Sequence, residues 1–258
     1  MKEVRAEIIG IESPAQGYCL MTLRAPEVAE ASRPGQFIHV QTADGPHPIL
    51  RRPFSIMSAG GGHLEILFRV VGEGTGLLAA KRPGGAVSLF GPIGTPFPDD
   101  DGVAVLIAGG IGVAPLIFLA EELKAKETPA VFVYGARNAG DILLKTRIEQ
   151  IAREALFATE DGSLGMKGFV TQAAAGYLNR NFRIYACGPE PMLEAVIRMA
   201  ASMGVHAWLS LENRMACGTG ACQGCVVQTR SGYRRVCVDG PVFSAGDLIG
   251  EAEVKPDA

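Results

Sequence analysis

No surplus of basic residues marks this chain: 24 Lys and Arg against 27 Asp and Glu leave a formal charge of −3. Nucleic-acid binding relies on clustered positive charge, so no nucleic-acid partner is expected. Histidine is scarce. His39, His47, His63 and His206 are scattered with no ligand-pair spacing, and each reads as a surface or satisfied core residue. The single tryptophan, Trp208, reads as strand core. The opening MKEVRAEIIG has no long apolar core, so a signal peptide is not expected. Internal repeats and low-complexity tracts are missing too. What remains is a chain of 258 residues, enough for one large or two modest domains with their own cores.

Cysteine is concentrated rather than rare. Of six, Cys217, Cys222, Cys225 and Cys237 share one stretch, while Cys19 and Cys187 lie outside it. The run MACGTGACQGC has C-x4-C-x2-C spacing, and Cys237 follows after eleven residues. The C-x4-C-x2-C run with a later fourth Cys is the spacing of a plant-type [2Fe–2S] site, although in plant ferredoxin that fourth Cys lies much further along the chain. Gly218, Gly220 and Gly224 fall between the ligands, where a loop wrapping an inorganic core needs unusual backbone angles and close approach. Their N–H groups could donate to cluster sulfurs and tune the potential. A structural zinc site would show two short Cys knuckles, and only one pair fits here. A disulfide framework suits small secreted chains. Free thiols and a cluster fit a reducing cytosol, so a cytoplasmic location is expected.

Residues 1–98 are β-rich. VRAEIIGIES, YCLMTLRAP, QFIHVQTA, HLEILFRVV and AVSLFGPI are short strand-like runs broken by Gly and Pro, which suggests a small barrel. In HLEILFRV, Leu64, Ile66, Phe68 and Val70 form one face, and Glu65, Leu67 and Arg69 form an open face that can present Arg69. The character changes at Asp99–Gly102. Apolar strands then alternate with helical stretches through residue 208, which predicts a parallel sheet flanked by helices. Val103 to Ala120 carries eighteen residues without a charge. Its length suits a membrane span, but Gly109, Gly110, Gly112 and Pro115 interrupt it, and it reads as strand, turn and helix. Residues 209–258 hold the cysteine segment, too small for a large core and stapled by its cluster.

Four further pieces could carry chemistry. Arg52-Pro53-Phe54-Ser55 is, taken alone, an ordinary strand start. Its Arg could pair with a pyrophosphate, an apolar residue could pack on a flavin ring, and the Ser could hydrogen-bond the flavin N5 region. Gly72-Glu73-Gly74-Thr75-Gly76 opens a short helix and is either a phosphate seat or a plain turn with a Thr cap. Gly109-Gly110-Ile111-Gly112-Val113-Ala114-Pro115 lies between strand and helix, where a nucleotide would bind, but it is not G-x-G-x-x-G and no acid marks the ribose. Cys187-Gly188-Pro189 repeats that arrangement, though Cys187 reads equally as a small buried hydrophobe. Arg137, after the second strand of the sheet, could serve a phosphate or the solvent.

Together these pieces resemble the ferredoxin–NADP reductase superfamily over residues 1–208. LENRMACGTGACQGCVV with RRVCVDGPVF is similar to the electron-transfer subunits of type B dihydroorotate dehydrogenases. The resemblance implies a six-stranded antiparallel FAD barrel (1–98), an NAD-binding α/β domain (99–208) and a [2Fe–2S] segment (209–258). It implies that Arg52, Pro53, Phe54, Ser55, Leu67, Phe68, Arg69, Gly74 and Thr75 contact FAD. Gly110, Gly112, Cys187, Gly188 and Pro189 would face NAD, and Cys217, Cys222, Cys225 and Cys237 would bind the cluster. The implied function is an electron relay in pyrimidine (UMP) biosynthesis. The implied partner is an FMN-containing catalytic subunit, in a heterotetramer of two of each, with the cysteine segment near the interface. Two alternatives stay open: the small subunit of a related NAD(P)H:ferredoxin or sulfide oxidoreductase, and a cluster-bearing redox sensor.

Overall fold

The structure, a computed structural model, describes residues 1–45, 47–99, 102–177 and 182–248. The boundary expected at Asp99–Gly102 falls partly outside them, because Asp100 and Asp101 are not among the described residues.

Six antiparallel strands close a barrel: β1 (Lys2–Glu12), β2 (Tyr18–Arg24), β3 (Phe37–Val40), β4 (Arg52–Gly60), β5 (His63–Arg69) and β6 (Ala86–Ile93), in the order β1-β2-β5-β4-β3-β6. Helices α1 (Pro26–Ala29) and α2 (Glu73–Ala79) occupy connections. The interior is aliphatic, with Ile8, Met21, Ile38, Ile56, Leu64, Ile66 and Leu89 in one core. The expected alternation on β5 holds for Leu64, Ile66 and Phe68. It fails at Leu67, which is only 3% exposed, and at Val70, which is 39% exposed just past the strand. The reason is tertiary: Leu20, Met57 and Leu67 on the outer wall share a core with the second unit, so that wall is not open to water.

The second unit is a seven-stranded sheet. Parallel strands β7 (Val103–Gly109), β8 (Ala130–Ala136), β9 (Glu154–Thr159), β10 (Met166–Lys167), β11 (Phe182–Cys187) and β12 (His206–Ser210) alternate with α3 (Val113–Ala125), α4 (Lys145–Ile151), α5 (Val170–Ala175) and α6 (Glu190–Met203). Winding runs outward from β7 through β8 to β10, then jumps to β11 on β7's other side. The carboxyl ends of β7 and β11 therefore flank the crevice where such sheets take ligands.

Helix α3 begins with Pro115 in its first turn, where no N–H is needed. It is buried on two sides. Leu116, Ile117, Leu119 and Ala120 pack with the sheet core, and Phe118 reaches the barrel core. This double burial accounts for the charge-free run. Among the described residues no helix is long and apolar enough to cross a membrane.

The cysteine segment contains a hairpin, β13 (Val226–Thr229) with β14 (Gly232–Arg235), and ends in β15 (Val242–Ser244). Strand β15 pairs antiparallel with β12 and becomes the edge of the sheet. Just before it, the Thr95 N–H donates to Gly240 O at 2.6 Å. The segment thus clasps both units, and Cys225, Val236, Cys237 and Phe243 join the sheet core.

Candidate functional site

Two cavities meet along the seam between barrel and sheet. The smaller, about 360 Å³, is walled on the barrel side by Phe37, Arg52, Pro53, Phe54, Ser55, Leu67, Phe68, Arg69, Val71 and Thr75. Ile111, Ala114, Leu211, Glu212, Asn213 and Met215 line the other side. Strand pairing brings these pieces together: β3 and β5 lie on either side of β4, and the Phe54 and Phe68 rings stand 5.1 Å apart. The turn before α2 approaches β4, where a Cβ on Gly74 would lie 3.1 Å from Arg52 Nε. Gly74 does not line the cavity; it is the small residue that admits the guanidinium. Thr75 Oγ1 accepts hydrogen bonds from the Val71 and Gly72 N–H groups at 2.9 and 3.1 Å, which closes the turn. The cap position itself is Gly72, not Thr75.

The larger cavity, about 710 Å³, lies over the carboxyl ends of β7, β8 and β11. Gly109, Gly110, Ile111, Gly188, Pro189 and Met192 form one end, and Arg137, Asp141, Glu160, Phe169 and Thr171 the other. Two expected residues lie beneath it. A Cβ on Gly112 would meet Cys187 O at 2.3 Å, so Gly112 lets the two turns pack directly. Cys187 is fully buried, and burial, reinforced by the charge of Glu212, raises its thiol pKa. Arg69, Ile111 and Glu212 line both cavities and form their shared wall. Glu212 is open to the crevice, yet the surrounding protein desolvates its carboxyl and raises its pKa. Phe37 was not picked out from sequence; Ile111 was read only as part of the Gly109–Pro115 turn, and Glu212 and Asn213 only as part of the LENRMACGTG run. The last two do stand beside the cysteine run, the one signal that could have drawn attention to them.

The cysteine loop carries its own donors. The Thr219 and Cys222 N–H groups each reach Cys217 Sγ at 3.4 Å, the Gly224 N–H reaches Cys222 Sγ at 3.5 Å, and the Cys237 N–H reaches Cys225 Sγ at 3.4 Å. The Cys222 and Thr219 amides lower the Cys217 thiol pKa to about 6. Cys237 is pushed up to about 12, first by burial and then by its neighbour Cys225. Gly218 and Gly220 have φ of +68° and +82°, which L side chains rarely adopt. A Cβ on Gly218 would meet the His39 imidazole at 2.9 Å, and one on Gly220 would meet Val238 at 2.8 Å. His39 corrects the expectation of a satisfied core residue: it is 1% exposed and its Nε2 has no partner. Burial, and then Arg51, lowers its pKa to about 4.

Residues 212–249 match the model of the iron-sulfur cluster binding domain of dihydroorotate dehydrogenase B. The chain is 37% identical over 256 residues to the dihydroorotate dehydrogenase B (NAD(+)) electron transfer subunit of Desulforamulus reducens, covering 95% of this chain and 98% of that one. The chain belongs to the dihydroorotate dehydrogenase B electron transfer subunit family. The electron transfer subunit of Geobacillus thermodenitrificans is 40% identical over 238 residues, 89% of this chain and 91% of that one. Residues 106–198 match the oxidoreductase NAD-binding domain. A solved NADH-dependent reduced ferredoxin-NADP oxidoreductase superposes with a TM-score of 0.86 at 29% identity, covering 96% of this chain and 91% of that one. The ferredoxin reductase of carbazole 1,9a-dioxygenase, at 23% identity and a TM-score of 0.68, shares the fold over 79% of this chain and 66% of that one.

As an electron transfer subunit of this family, the chain is part of an oxidoreductase, and its cofactors are FAD, a [2Fe–2S] cluster and NAD. The donor set suits the cluster: thiols already receive N–H groups, two glycines leave room for no side chain, and a buried imidazole nitrogen lacks a partner beside the loop. Among the described residues no three His, Cys, Asp or Glu converge on a single-ion position. A two-iron core does not require that, because each iron takes only two of four thiolates.

Proposed function

We propose that this subunit carries electrons between NAD(H) and an FMN-containing catalytic subunit that oxidises dihydroorotate to orotate, in a heterotetramer of two copies of each. The observation behind this reading is the wall of Arg69, Ile111 and Glu212 common to both cavities. A nicotinamide in the larger cavity and a flavin in the smaller one would meet across it. When bound, FAD exchanges a hydride with a nicotinamide and single electrons with an iron–sulfur centre.

The residues divide the work. Arg52, braced by Leu50 O at 2.6 Å and lying on Gly74, faces the pyrophosphate, with Thr75 fixing the turn beside it. Pro53, Phe54, Leu67 and Phe68 wall the isoalloxazine, Ser55 offers its hydroxyl, and Arg69 is held over the Tyr18 ring at 5.9 Å. Gly110, Gly188 and Pro189 floor the nicotinamide; Gly112 and Cys187 set that floor from below. Cys217, Cys222, Cys225 and Cys237 hold the cluster. Residues 1–98, 99–208 and 209–258 are three functional parts, though the third lends β15 to the second part's sheet.

The cavity also supports a preference for NAD(H) over NADP(H). With nicotinamide at the shared wall, the other nucleotide extends toward β8 and β9, where Asp141 and Glu160 line the cavity. Arg137 is spent on Asp141 through Nε and Nη2 at 3.1 and 2.9 Å. A 2′-phosphate would meet two carboxylates and a neutralised guanidinium, while a ribose diol would find acceptors.

A ferredoxin or sulfide oxidoreductase role is the rival reading, supported by the 29% identical structure. The cluster-domain match and the higher identity of the dihydroorotate dehydrogenase subunits favour the first. Coexpression with a candidate catalytic subunit tests it. A complex of equal stoichiometry that reduces orotate with NADH is expected; a chain that forms no complex with that subunit, or a complex that reduces ferredoxin but gives no orotate-dependent NADH oxidation, would contradict it.

A further inference from the structure

Strand β3 has two faces with different destinations. Ile38 and Val40 point into the barrel core. Phe37 and His39 share the opposite face, as the two-residue strand period requires, with their rings 5.7 Å apart. Phe37 lines the smaller cavity and packs in the same core as Cys225 and Cys237. His39, one period further, lies against Gly218, the residue after Cys217. All three ring atoms nearest Gly218 come within 3.2 Å of where its Cβ would be. One strand face therefore runs from the flavin cavity to the cluster loop, and it ends in an imidazole with an unpartnered, buried Nε2.

A buried nitrogen left without a partner costs about 1–3 kcal/mol, so its persistence calls for a partner not made of protein. An imidazole carries at least one ring N–H whether neutral or protonated, and can donate. We infer that His39 is a positioning residue for the [2Fe–2S] cluster. It seats the cluster loop through Gly218 and donates its Nε2–H to a sulfur of the cluster, which raises the cluster's reduction potential. The inference rests on the four-cysteine reading above. The physical ground is that a hydrogen bond to a cluster sulfur stabilises the more negative, reduced state.

The test uses the purified chain with its cluster reconstituted anaerobically. Pulsed electron-spin spectra of dithionite-reduced wild type, grown with 15N-histidine and without, should show a weak coupling from one uncoordinated imidazole nitrogen. Spectroelectrochemical titration should place the cluster of His39→Leu at a lower potential than wild type, with His39→Gln, which keeps a donor, between them. If wild type gives a cluster signal with no histidine nitrogen coupling, or if all three proteins share one potential, the inference is overturned whether or not the leucine variant folds well. If wild type forms no two-iron signal at all, the four-cysteine reading fails first and the inference goes with it.

Discussion

Arg147 on α4 holds Glu65 on β5: its Nη1 lies 2.6 Å from Glu65 Oε2, and its Nη2 lies 2.6 Å from Glu121 Oε1 on α3. Ser58 on β4 donates to the other oxygen of Glu121 at 2.7 Å. Barrel and sheet are thus tied by one polar network beside the helix that walls the smaller cavity. Burial works against the Arg147 charge, but the hydrogen bonds it donates to Glu121 and Glu65 outweigh it and raise its pKa. Removing Arg147 leaves two half-buried carboxylates side by side. Arg147→Met should destabilise the fold by about 1–3 kcal/mol, less than a fully buried pair would lose because water still reaches the site. Urea unfolding of the holoprotein checks it; an unchanged midpoint would show the network to be idle.

Gly112 is the second point of leverage. A methyl there would stand 2.3 Å from Cys187 O and 2.6 Å from the Gly188 N. Both neighbours are backbone, so the two turns must separate. Gly112→Ala should weaken NADH binding at least tenfold while leaving flavin content near wild type, since the turns belong to the larger cavity. Calorimetric titration with NADH and flavin absorbance measure the two independently.

If the larger cavity takes the nucleotide as proposed, the choice between NADH and NADPH depends on Asp141. Replacing it with Asn removes a carboxylate and frees Arg137 for a 2′-phosphate. Asp141→Asn should narrow the NADH-over-NADPH preference by about tenfold, the equivalent of about 1.4 kcal/mol, and adding Arg137→Ala should reverse the gain. Binding constants for both reduced nucleotides decide it, with an unchanged ratio counting against the assignment.

Acid should loosen the cluster-free form of this protein through His39. Its pKa is held at about 4, below the unfolded value of about 6.5. Between those values the unfolded chain binds the proton and the folded one does not, so stability falls as pH drops through that window. At pH 5 the loss attributable to this group is about 2 kcal/mol relative to pH 7. Denaturant curves at the two pH values should show that difference in wild type and a smaller one in His39→Leu.

Much of this was legible beforehand because it is local. Cysteine spacing, the Arg52–Ser55 run and the glycine turns are written in consecutive residues, and strand–helix alternation follows from periodicity. The charge-free stretch at Val103 was resolved by its glycines. What escaped depends on distant packing. Leu67 looked open because nothing on β5 announces the second unit above it, and His39 looked ordinary because Gly218 is far away in sequence. Gly112 looked like a cavity residue, but its constraint comes from a carbonyl on another strand. The clasp made by β15 is only three residues long, too short to carry a pattern.

The most direct measurement is an anaerobic titration of the purified, reconstituted chain with NADH, followed by visible absorbance and electron-spin resonance together. The account predicts that flavin absorbance bleaches and a reduced two-iron signal grows with it, and that Cys225→Ala keeps the bleaching but loses the signal. Bleaching in wild type without any two-iron signal, or a signal undiminished in Cys225→Ala, would contradict it.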